Sequence, residues 1–457
     1  MNENLIKKYN TPVPRYTSYP PANYFEDTFS ADDYLAAVKH SNNWQPEQVS
    51  IYFHIPFCKK MCHYCGCNSC RISDVQSVKR YFNTLKTELR MVSGHIDKNR
   101  KVSQIHFGGG TPNSVPPGYL AELMNLVKEN FSLSHSPEIA VECNPAYLDA
   151  PYTKKLIKAG FNRFSLGIQD FNIHVLNKVN RDQPLIPVTD LVSYIRSENP
   201  QARVNLDFIY GLPGQTKKGF EDTINRAIEI KPDRLVTFSY AHVPWVNKAQ
   251  KILEKQGLPD NDEKAAMYRV AHEQMTTNGY KAIGLDHFVL EQDELYKALE
   301  SGRLHRNFQG YCTRETTGQV YAFGVSGISQ LQRAYAQNSK SIDEYTDSVA
   351  RGLLPVKKGY ALNNAEIIIR EVITTLMCNK QINWPGLSKQ LGISVPEILN
   401  AVSYNQDLLR QFKEDGIVDY SADSIKVTRE GSLFIRNVAA LFDPLMATTN
   451  NKFSRSF

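Results

Sequence analysis

The chain has 457 residues, enough for about three domains of typical size or for one large barrel with attached segments. Hydrophobic residues make up 42% and charged residues 22%, which predicts a sizeable packed core and excludes wholesale disorder. The sequence lacks both an apolar run of roughly 18–20 residues and a secretory signal, so we expect a cytoplasmic protein with no membrane partner. The net charge of +6 suits an anionic substrate or an acidic protein partner and does not by itself favour nucleic acid.

Residues 1–48 are predicted to form an irregular N-terminal arm, because the prolines of TPVPRYTSYPP block a regular helix or strand. The arm could be a solvated tail. Its prolines and aromatic residues favour an ordered segment that docks on the rest of the protein.

Between residues 49 and 290, short apolar runs alternate with amphipathic stretches. The predicted strands are residues 49–57, 103–112, 139–145, 161–169, 203–213 and 234–244. Apolar residues spaced three and four apart predict helices between them, as in the stripe Val78, Phe82, Leu85, Leu89 and Val92. Six strands with intervening helices predict a parallel α/β fold, either an open sheet or a partial (β/α)6 TIM-like barrel.

Chemistry in either architecture belongs at the carboxyl ends of the strands. The notable polar features of the sequence occur there. Five cysteines follow the first predicted strand and glycines follow the second, while Glu142, Gln169 and Asp207 belong to the next three. These features therefore predict one functional site at this edge of the sheet.

Residues 291–359 are expected to connect the barrel to the rest of the chain and to complete the active site. Residues 360–457 are predicted to form a mostly helical, winged-helix-like C-terminal domain, because residues 387–394 resemble a helix-turn-helix and residues 414–431 a hairpin. Between residues 382 and 416, however, the sequence has three basic residues and four acidic ones. Contacts with phosphates would need a surface that is positively charged. We therefore favour a helical lid over the barrel to a DNA-binding domain.

Five of the eight cysteines fall between Cys58 and Cys70, which favours a metal site over a secreted disulfide framework. Cys58, Cys62 and Cys65 follow the pattern C-x3-C-x2-C. Three thiolates on one loop can bind three irons of a 4Fe–4S cube and leave the fourth iron open to a small molecule. The alternatives are a disulfide or zinc bound by four cysteines, although zinc sites usually pair two knuckles across a longer loop.

The pattern C-x3-C-x-aromatic-C, in which Tyr64 precedes Cys65, resembles the signature of the radical S-adenosylmethionine (SAM) enzymes. In that superfamily the open iron binds SAM, the aromatic residue lies near the adenine, and an electron from the cluster cleaves SAM to methionine and a 5′-deoxyadenosyl radical. The GGGTP segment at residues 108–112 resembles the superfamily's glycine segment beside the methionine amino group. Taken alone, it could also be an ordinary strand-to-helix turn.

Further motifs resemble the oxygen-independent coproporphyrinogen III oxidase family. They are RYTSYP (15–20), YFHIPFCKKMCHYCGC (52–67), VECNP (141–145), GIQDF (167–171), VNRDQ (179–183), DFIYGLP (207–213), YAHVP (240–244), GLDHF (284–288), HRNFQGY (305–311), GVSGIS (324–329) and FSR (453–455). This resemblance implies oxidative decarboxylation of the ring A and B propionates of coproporphyrinogen III to vinyl groups, which gives protoporphyrinogen IX and two CO2. It also implies one 4Fe–4S cluster and two SAM molecules.

The resemblance also assigns residues to the site. Cys58, Cys62 and Cys65 match the cluster ligands. The expected cofactor-binding residues are Tyr52, Tyr64, Gly109, Gly110, Thr111, Glu142, Gln169, Arg181, Asp207, Ala241 and Ile328. The expected catalytic residues are Tyr52, Gln309, Ile328 and Cys67. In the arm, Arg15 is expected to pair with a propionate, and Tyr16 and Tyr19 to flank the macrocycle. Any one of the charged residues taken alone could equally belong to an ordinary ion pair.

The sequence departs from the family pattern at two places. The interval between Gln309 and Ile328 is one residue longer, with the extra residue in the loop CTRETTGQV (312–320), and Cys143 replaces an apolar residue. We interpret Cys143 as a small buried hydrophobic side chain and not as a ligand.

Two other functions are considered. One is a haem-binding trafficking protein of the same superfamily, and the other is a radical enzyme that acts on haem. Trafficking relatives usually lack the CGC cysteine, the RYTSYP arm and the RNFQGY segment, all of which are present here, so the oxidase is favoured. We expect a monomer that receives electrons from an acidic flavodoxin or ferredoxin and binds no nucleic acid.

Overall fold

The computed structural model describes residues 3–44, 46–245, 247–314, 319–402, 404–447, 453, 454 and 456. The described helices are α1 (Glu3–Tyr9), α2 (Ala31–Ser41), α3 (Val75–Ser93), α4 (Pro117–Asn130), α5 (Ala150–Ala159), α6 (Ile173–Lys178), α7 (Val188–Glu198), α8 (Lys217–Ile230), α9 (Lys251–Glu254), α10 (Asn261–Thr277), α11 (Glu294–Glu300), α12 (Ile342–Ala350), α13 (Asn364–Asn379), α14 (Trp384–Leu391), α15 (Val395–Val402), α16 (Gln406–Glu414) and α17 (Ile435–Ala440).

The described strands are β1 (Val49–Ile55), β2 (Phe57–Cys58), β3 (Cys70–Arg71), β4 (Lys101–Gly109), β5 (Ser132–Cys143), β6 (Arg163–Gln169), β7 (Arg203–Tyr210), β8 (Arg234–Ser239), β9 (Lys281–Ile283), β10 (His287–Val289), β11 (Leu304–Asn307), β12 (Gly310–Thr313), β13 (Val320–Phe323), β14 (Ile328–Gln330), β15 (Ala334–Asn338), β16 (Val356–Ala361), β17 (Gln381–Asn383), β18 (Val418–Tyr420) and β19 (Ser424–Val427). Among the described helices, none combines the length and the apolar character that crossing a membrane requires.

Six parallel strands form the centre of the main sheet, in the order β1, β4, β5, β6, β7 and β8. Helices α3, α4, α5, α7 and α8 connect successive strands, as right-handed crossovers require. Strands β16 and β9 end the sheet and, among the described strands, do not pair with each other, so the barrel is partial. The predicted partial (β/α)6 barrel is confirmed, and each of the six predicted strands overlaps an observed one.

The sheet extends beyond these six strands in a way that the sequence did not predict. On one side, β13 pairs in parallel with β1 and is followed by the antiparallel strands β14, β15 and β16. On the other side, β10 and β9 continue antiparallel from β8. These strands are three to six residues long, too short for alternation to reveal them. The expected connecting region at residues 291–359 therefore contributes strands to the main sheet.

The parallel strands have an apolar face and a polar face. Ile51, Phe53 and Ile55 of β1 are buried, and so is the whole predicted stripe of α3 from Val78 to Val92. Polar side chains of neighbouring strands bond to one another across the other face, as Ser165 does with Asp207. Because successive side chains of a strand point to opposite faces of the sheet, the polar side chains point into the barrel.

The N-terminal arm is only partly irregular, which corrects the prediction for residues 1–48. Helix α2 forms because Ser30 and Asp33 make a capping box and because Tyr34 and Val38 are buried on one side of the helix. Helix α1 precedes the proline-rich segment at residues 11–21, which contains no helix, as its prolines predict.

The C-terminal region combines helices α13 to α17 with a small antiparallel sheet in the order β17, β19, β18. Strands β18 and β19 form a hairpin where the sequence predicts one. The apolar core of this region includes Trp384 and Phe412, and it also receives Tyr9, Tyr16 and Tyr19 from the N-terminal arm. The arm is therefore docked on the C-terminal region.

Candidate functional site

The cysteine-rich loop is closed at its base by main-chain hydrogen bonds. Strands β2 and β3 pair in parallel. The Cys70 N–H donates to the Pro56 carbonyl at 2.8 Å, and the Ile72 N–H donates to the Cys58 carbonyl at 3.0 Å. Because both ends of the loop are held together, the cysteines between them occupy a short, constrained turn beside the end of β1.

The cysteines line a cavity of about 330 Å³ at the carboxyl ends of the parallel strands. Predicted site residues from seven different segments meet in this cavity: Cys58, Cys62, Tyr64, Cys65, Cys67, Gly109, Gly110, Thr111, Glu142, Gln169, Arg181, Asp207 and Gln309. The position agrees with the expectation for a parallel α/β fold. We call this space the cysteine cavity.

The glycine segment is bonded to the backbone that carries the cysteines. The Gly110 N–H donates to the Ile55 carbonyl at 2.8 Å, and the Thr111 N–H donates to the Phe57 carbonyl at 2.8 Å. A Cβ atom at Gly110 would lie 2.7 Å from the Pro56 carbonyl oxygen. Gly109 has a φ of +116°, which a side chain rarely adopts. Both positions therefore require glycine for the two segments to approach this closely.

Two carboxylates face the cavity from strands β5 and β7, which lie on either side of β6. Glu142 bonds to the His106 Nε2 atom at 2.8 Å and accepts the Gly109 N–H at 3.3 Å. Asp207 accepts the Ser165 hydroxyl at 2.6 Å and the Asn205 amide at 2.8 Å. Burial raises the pKa of Asp207 to about 6. Such carboxylates suit hydroxyl or ammonium donors of a ligand.

Arg181 and Gln169 complete the polar lining on the side of the cysteines. The Arg181 Nη1 atom lies 3.8 Å from the Cys62 sulfur, and its Nη2 atom donates to the Gly167 carbonyl. Gln169 has a φ of +69°, a left-handed conformation that is unusual for a residue with a side chain. Strain of this kind tends to occur at functional sites, so it supports a role for Gln169 in binding.

The sulfur atoms differ in their surroundings. Burial raises the pKa of the Cys58 thiol, whose sulfur lies 3.4 Å from the Thr111 hydroxyl. A hydrogen bond from Cys67 lowers the pKa of Cys65 to about 6, although burial acts in the opposite direction. The Cys67 N–H also donates to the Cys65 sulfur at 3.4 Å. Hydrogen bonds from Cys67 therefore favour the thiolate of Cys65, which is the form that binds metals.

A network of charged side chains also lines the cysteine cavity, where Glu138, Arg163 and Arg234 belong to its wall. Glu138 pairs with Arg163, while Arg234 makes a bidentate contact with Asp293 at 2.8 and 3.0 Å and also bonds to Glu294 at 3.0 Å. The sequence did not identify this network, because Glu138 precedes one predicted strand and Arg163 lies near the start of another, where charged residues are common.

A second cavity of about 480 Å³ adjoins the first, and Phe238 lines both. Among the described residues, four arginine and lysine side chains line it: Arg15, Lys264, Arg306 and Arg436. We call this space the basic cavity. Arg15 was predicted, whereas Lys264, Arg306 and Arg436 were missed. Arg306 belongs to the HRNFQGY motif, which was a signal for it, but Lys264 and Arg436 lie on helices without any motif.

Comparison with known proteins identifies the family. A model of the Radical SAM superfamily matches residues 52–227. A curated protein from Synechocystis sp., named oxygen-independent coproporphyrinogen III oxidase, is 36% identical over 455 residues, which cover 99% of this chain and 97% of that protein. The chain belongs to the oxygen-independent coproporphyrinogen III oxidase family.

Other members of the family agree. A relative of the same name from Escherichia coli is 38% identical over 440 residues, covering 96% of this chain and 94% of its own. A solved structure of coproporphyrinogen III oxidase from Escherichia coli, described as a radical SAM enzyme, superposes with a TM-score of 0.88 at 35% identity. It covers 97% of this chain and 98% of its own. Membership of the Radical SAM superfamily implies a 4Fe–4S cluster and SAM.

The cysteine cavity fits such a cluster. Cys58, Cys62 and Cys65 line one space together with the glycine segment at Gly109 and Gly110. Among the residues that the structure describes, no three His, Cys, Asp or Glu side chains converge as the ligands of a single metal ion do. The three cysteines of a 4Fe–4S cluster do not need to converge on one ion, because each of them binds a different iron.

Six predicted residues lie outside the cysteine cavity, and four of them are Ala241, Arg15, Tyr52 and Ile328. Ala241 and Arg15 line the basic cavity. Tyr52 lies on β1, where its hydroxyl is 3.1 Å from His54 Nδ1 and its ring centroid is 5.8 Å from that of His106. Ile328 packs in an apolar cluster with Phe25, Tyr335 and Leu362. The structure thus brings neither Tyr52 nor Ile328 to the lining of either cavity.

The two arm tyrosines are also placed differently from the prediction. Tyr16 and Tyr19 are buried in the core of the C-terminal region, and the Tyr16 hydroxyl donates to Asp443 at 2.9 Å. A ring enclosed in a packed core presents no face to a ligand, so this placement is at odds with the expectation that the two rings flank a macrocycle.

Of the two departures from the family pattern, the structure describes Cys143 fully and the loop CTRETTGQV only in part. Cys143 is buried in the main core, as expected for a small hydrophobic side chain. The loop CTRETTGQV (312–320) includes residues 315–318, which lie outside the described residues, as does Arg455 of the FSR motif.

Proposed function

We propose that the protein oxidatively decarboxylates the ring A and B propionates of coproporphyrinogen III, giving protoporphyrinogen IX and two CO2. This proposal rests mainly on one observation: the cysteine cavity lies next to the basic cavity, and Phe238 lines both. A radical source is thereby next to a space suited to a polyanion. The names of relatives that match nearly the full chain support the same substrate.

The difficult step is the removal of an unactivated hydrogen from a propionate side chain. Each vinyl group forms when one hydrogen atom, one CO2 and one electron leave that side chain. No protein side chain removes such a hydrogen at neutral pH, so the protein contributes position and the cofactor contributes reactivity. When bound, the cluster and SAM supply a 5′-deoxyadenosyl radical.

The residues of the cysteine cavity are assigned roles that their contacts support. Cys58, Cys62 and Cys65 would bind the cluster, and Cys67 would stabilise the Cys65 thiolate by hydrogen bonding. Arg181 suits the carboxylate of a bound methionine moiety, and Asp207 suits hydroxyl or ammonium groups.

Further residues are proposed to bind SAM. Gly109, Gly110 and Thr111 would let a ligand approach the backbone, Tyr64 would contact the adenine, and Glu142 and Gln169 would add polar contacts.

A second SAM molecule is also proposed, next to the first. Gln309 lines the cysteine cavity, and its main-chain N–H donates to Asn307 at 2.8 Å, which fixes the turn between β11 and β12. Ala241 approaches from the basic cavity. Tyr52 and Ile328 line neither cavity, so their proposed roles would be exerted through neighbouring residues.

The electron donor is proposed to be an acidic flavodoxin or ferredoxin. Lys59 and Lys60 are exposed on the cysteine-rich loop, where an acidic surface could approach the proposed cluster. Lys60 pairs with Asp182 at 2.7 Å, and the Lys59 ammonium lies over the Tyr147 ring, so both charges are held on this surface.

The test is anaerobic incubation of reconstituted protein with a reductant, SAM and coproporphyrinogen III. We expect a divinyl product and 5′-deoxyadenosine. Tight haem binding without product would overturn the proposal and favour a haem-trafficking protein. Product from haem and none from coproporphyrinogen III would favour a radical enzyme that acts on haem.

A further inference from the structure

The basic cavity has an unusual distribution of charge. Arg15, Lys264, Arg306 and Arg436 line it, and Asp286 is the one acidic side chain among its described lining residues. The Nε atom of Arg306 is buried and has no hydrogen-bond partner among the described residues. A buried donor without a partner is costly, which indicates that a ligand group bonds to it.

The other cations are held in place to different degrees. The Lys264 ammonium donates to the Tyr240 carbonyl at 3.2 Å, which leaves two of its three donors for a ligand. Arg436 bonds to the main-chain carbonyls of Pro14 and Ser456, both at 3.0 Å. Arg436 therefore supplies a fixed charge, whereas Arg15, Lys264 and Arg306 can bind an anion directly.

Asp286 is held rigidly between the two cavities. It precedes β10, and its main-chain carbonyl accepts the Thr237 N–H of β8 at 2.8 Å. Its carboxylate lies 2.7 Å from the His287 Nδ1 atom, and His287 lines the cysteine cavity. The side chain is 19% exposed, so it is open to the basic cavity. Burial would raise the pKa of Asp286, but His287, Arg306 and Arg15 lower it overall.

The proposed substrate has a matching pattern of groups. A porphyrinogen carries pyrrole N–H donors at its centre and carboxylates on its periphery. A complementary site would need one acceptor for the N–H groups, surrounded by cations. A simple polycarboxylate needs only the cations, and for such a ligand an acidic residue in the cavity would be unfavourable.

We infer that the basic cavity binds the macrocycle with Asp286 accepting pyrrole N–H bonds and with Arg15, Lys264 and Arg306 binding peripheral propionates. This inference rests on the proposed function, because it takes its substrate. It gives the GLDHF motif, which contains Asp286, a role in recognition. It also places the bound macrocycle next to Phe238, at the boundary with the cysteine cavity.

The test compares two ligands on Asp286→Asn. One ligand is coproporphyrinogen III, titrated under anaerobic conditions and followed by the fluorescence of Trp245, which lines the basic cavity. The other is butane-1,2,3,4-tetracarboxylate, which has carboxylates but no N–H group. We expect Asp286→Asn to weaken coproporphyrinogen binding about tenfold, because a charge-assisted hydrogen bond is lost. It should bind the tetracarboxylate more tightly, because a repulsive charge is removed.

Opposite changes for the two ligands would support the inference, and any other result overturns it. Weaker binding of both ligands would mean that Asp286 has only a structural role. Tighter binding of both would mean that it acts by charge alone, and no change would place it outside the site. Asp262→Asn, on the exposed surface of α10, is the matched control.

A second variant tests the cations. Lys264→Gln should weaken binding of both ligands, whereas Lys255→Gln at an exposed position should weaken neither. Unchanged binding in Lys264→Gln would contradict the assignment of that residue. These titrations measure binding and need no turnover. The proposed reaction is tested separately, by product formation in the wild-type protein. A failure of the inference can therefore be told apart from a failure of the proposed reaction.

Discussion

Gly110→Ala should disable the cysteine cavity while leaving the fold intact. The new Cβ would lie 2.7 Å from the Pro56 carbonyl oxygen and 3.0 Å from that of Phe57. Both contacts are with main chain, which cannot rotate away as a flexible side chain can. The Phe57 carbonyl is further fixed by the Thr111 N–H at 2.8 Å and by the Ser114 hydroxyl at 2.9 Å.

The size of the effect follows from this rigidity. Overpacking a rigid site costs about 1–3 kcal/mol, and the upper end applies here because the neighbouring atoms are fixed. If the strain is relieved by displacement of the cysteine-rich loop, about 3 kcal/mol lowers the population of the competent arrangement by about a hundredfold. We therefore expect SAM cleavage without substrate to fall by about that factor.

The assay is iron content and 5′-deoxyadenosine formation after anaerobic reconstitution. Gly118→Ala is the matched control, because a Cβ at Gly118 meets no atom within 4 Å. Circular dichroism should show folded protein for both variants. Wild-type iron content and SAM cleavage in Gly110→Ala would refute the argument that close approach of the two backbone segments builds the site.

Three further predictions concern other residues. Cys62→Ser should lose both the brown absorbance of the reconstituted cluster and SAM cleavage, so retention of both would contradict its assignment as a ligand. Arg15→Ala should impair turnover more than SAM cleavage without substrate, because Arg15 lines the basic cavity; equal loss of both would count against a role in substrate binding. Burial raises the pKa of Glu88 from 4.5 to about 7, so the folded chain holds a proton that the unfolded chain releases. The free energy of unfolding should therefore fall as the pH rises from about 4.5 to 7. Glu88→Gln should flatten this pH dependence in thermal melts. An unchanged profile would contradict the raised pKa of Glu88.

The central strands could be predicted from the sequence because their buried residues form long apolar runs. The polar residues at their carboxyl ends could be predicted for a second reason. In a parallel fold, strand direction alone brings the ends of all strands to one edge. Glu142, Gln169 and Asp207 therefore meet in one cavity although up to 65 positions separate them.

Features that depend on long-range packing could not be predicted from the sequence. The short strands β13 to β16 are defined by their neighbours in the sheet, not by their own periodicity. Lys264 and Arg436 each lie on a helix where a basic residue usually faces solvent. The burial of Tyr16 and Tyr19 was not predicted, because an aromatic residue in a proline-rich arm suits a ligand contact and a core equally well.

One wall of the basic cavity joins segments that lie far apart in the chain. The Val13 N–H donates to the Ser454 carbonyl at 3.2 Å, and the Ser456 hydroxyl donates to the Tyr9 carbonyl at 3.0 Å, across 447 positions. During synthesis, residues 9–15 are made long before Ser454 and Ser456, so these hydrogen bonds can form only after the later residues have left the ribosome. A nascent chain would thus possess the cysteine-rich loop well before it could hold a macrocycle.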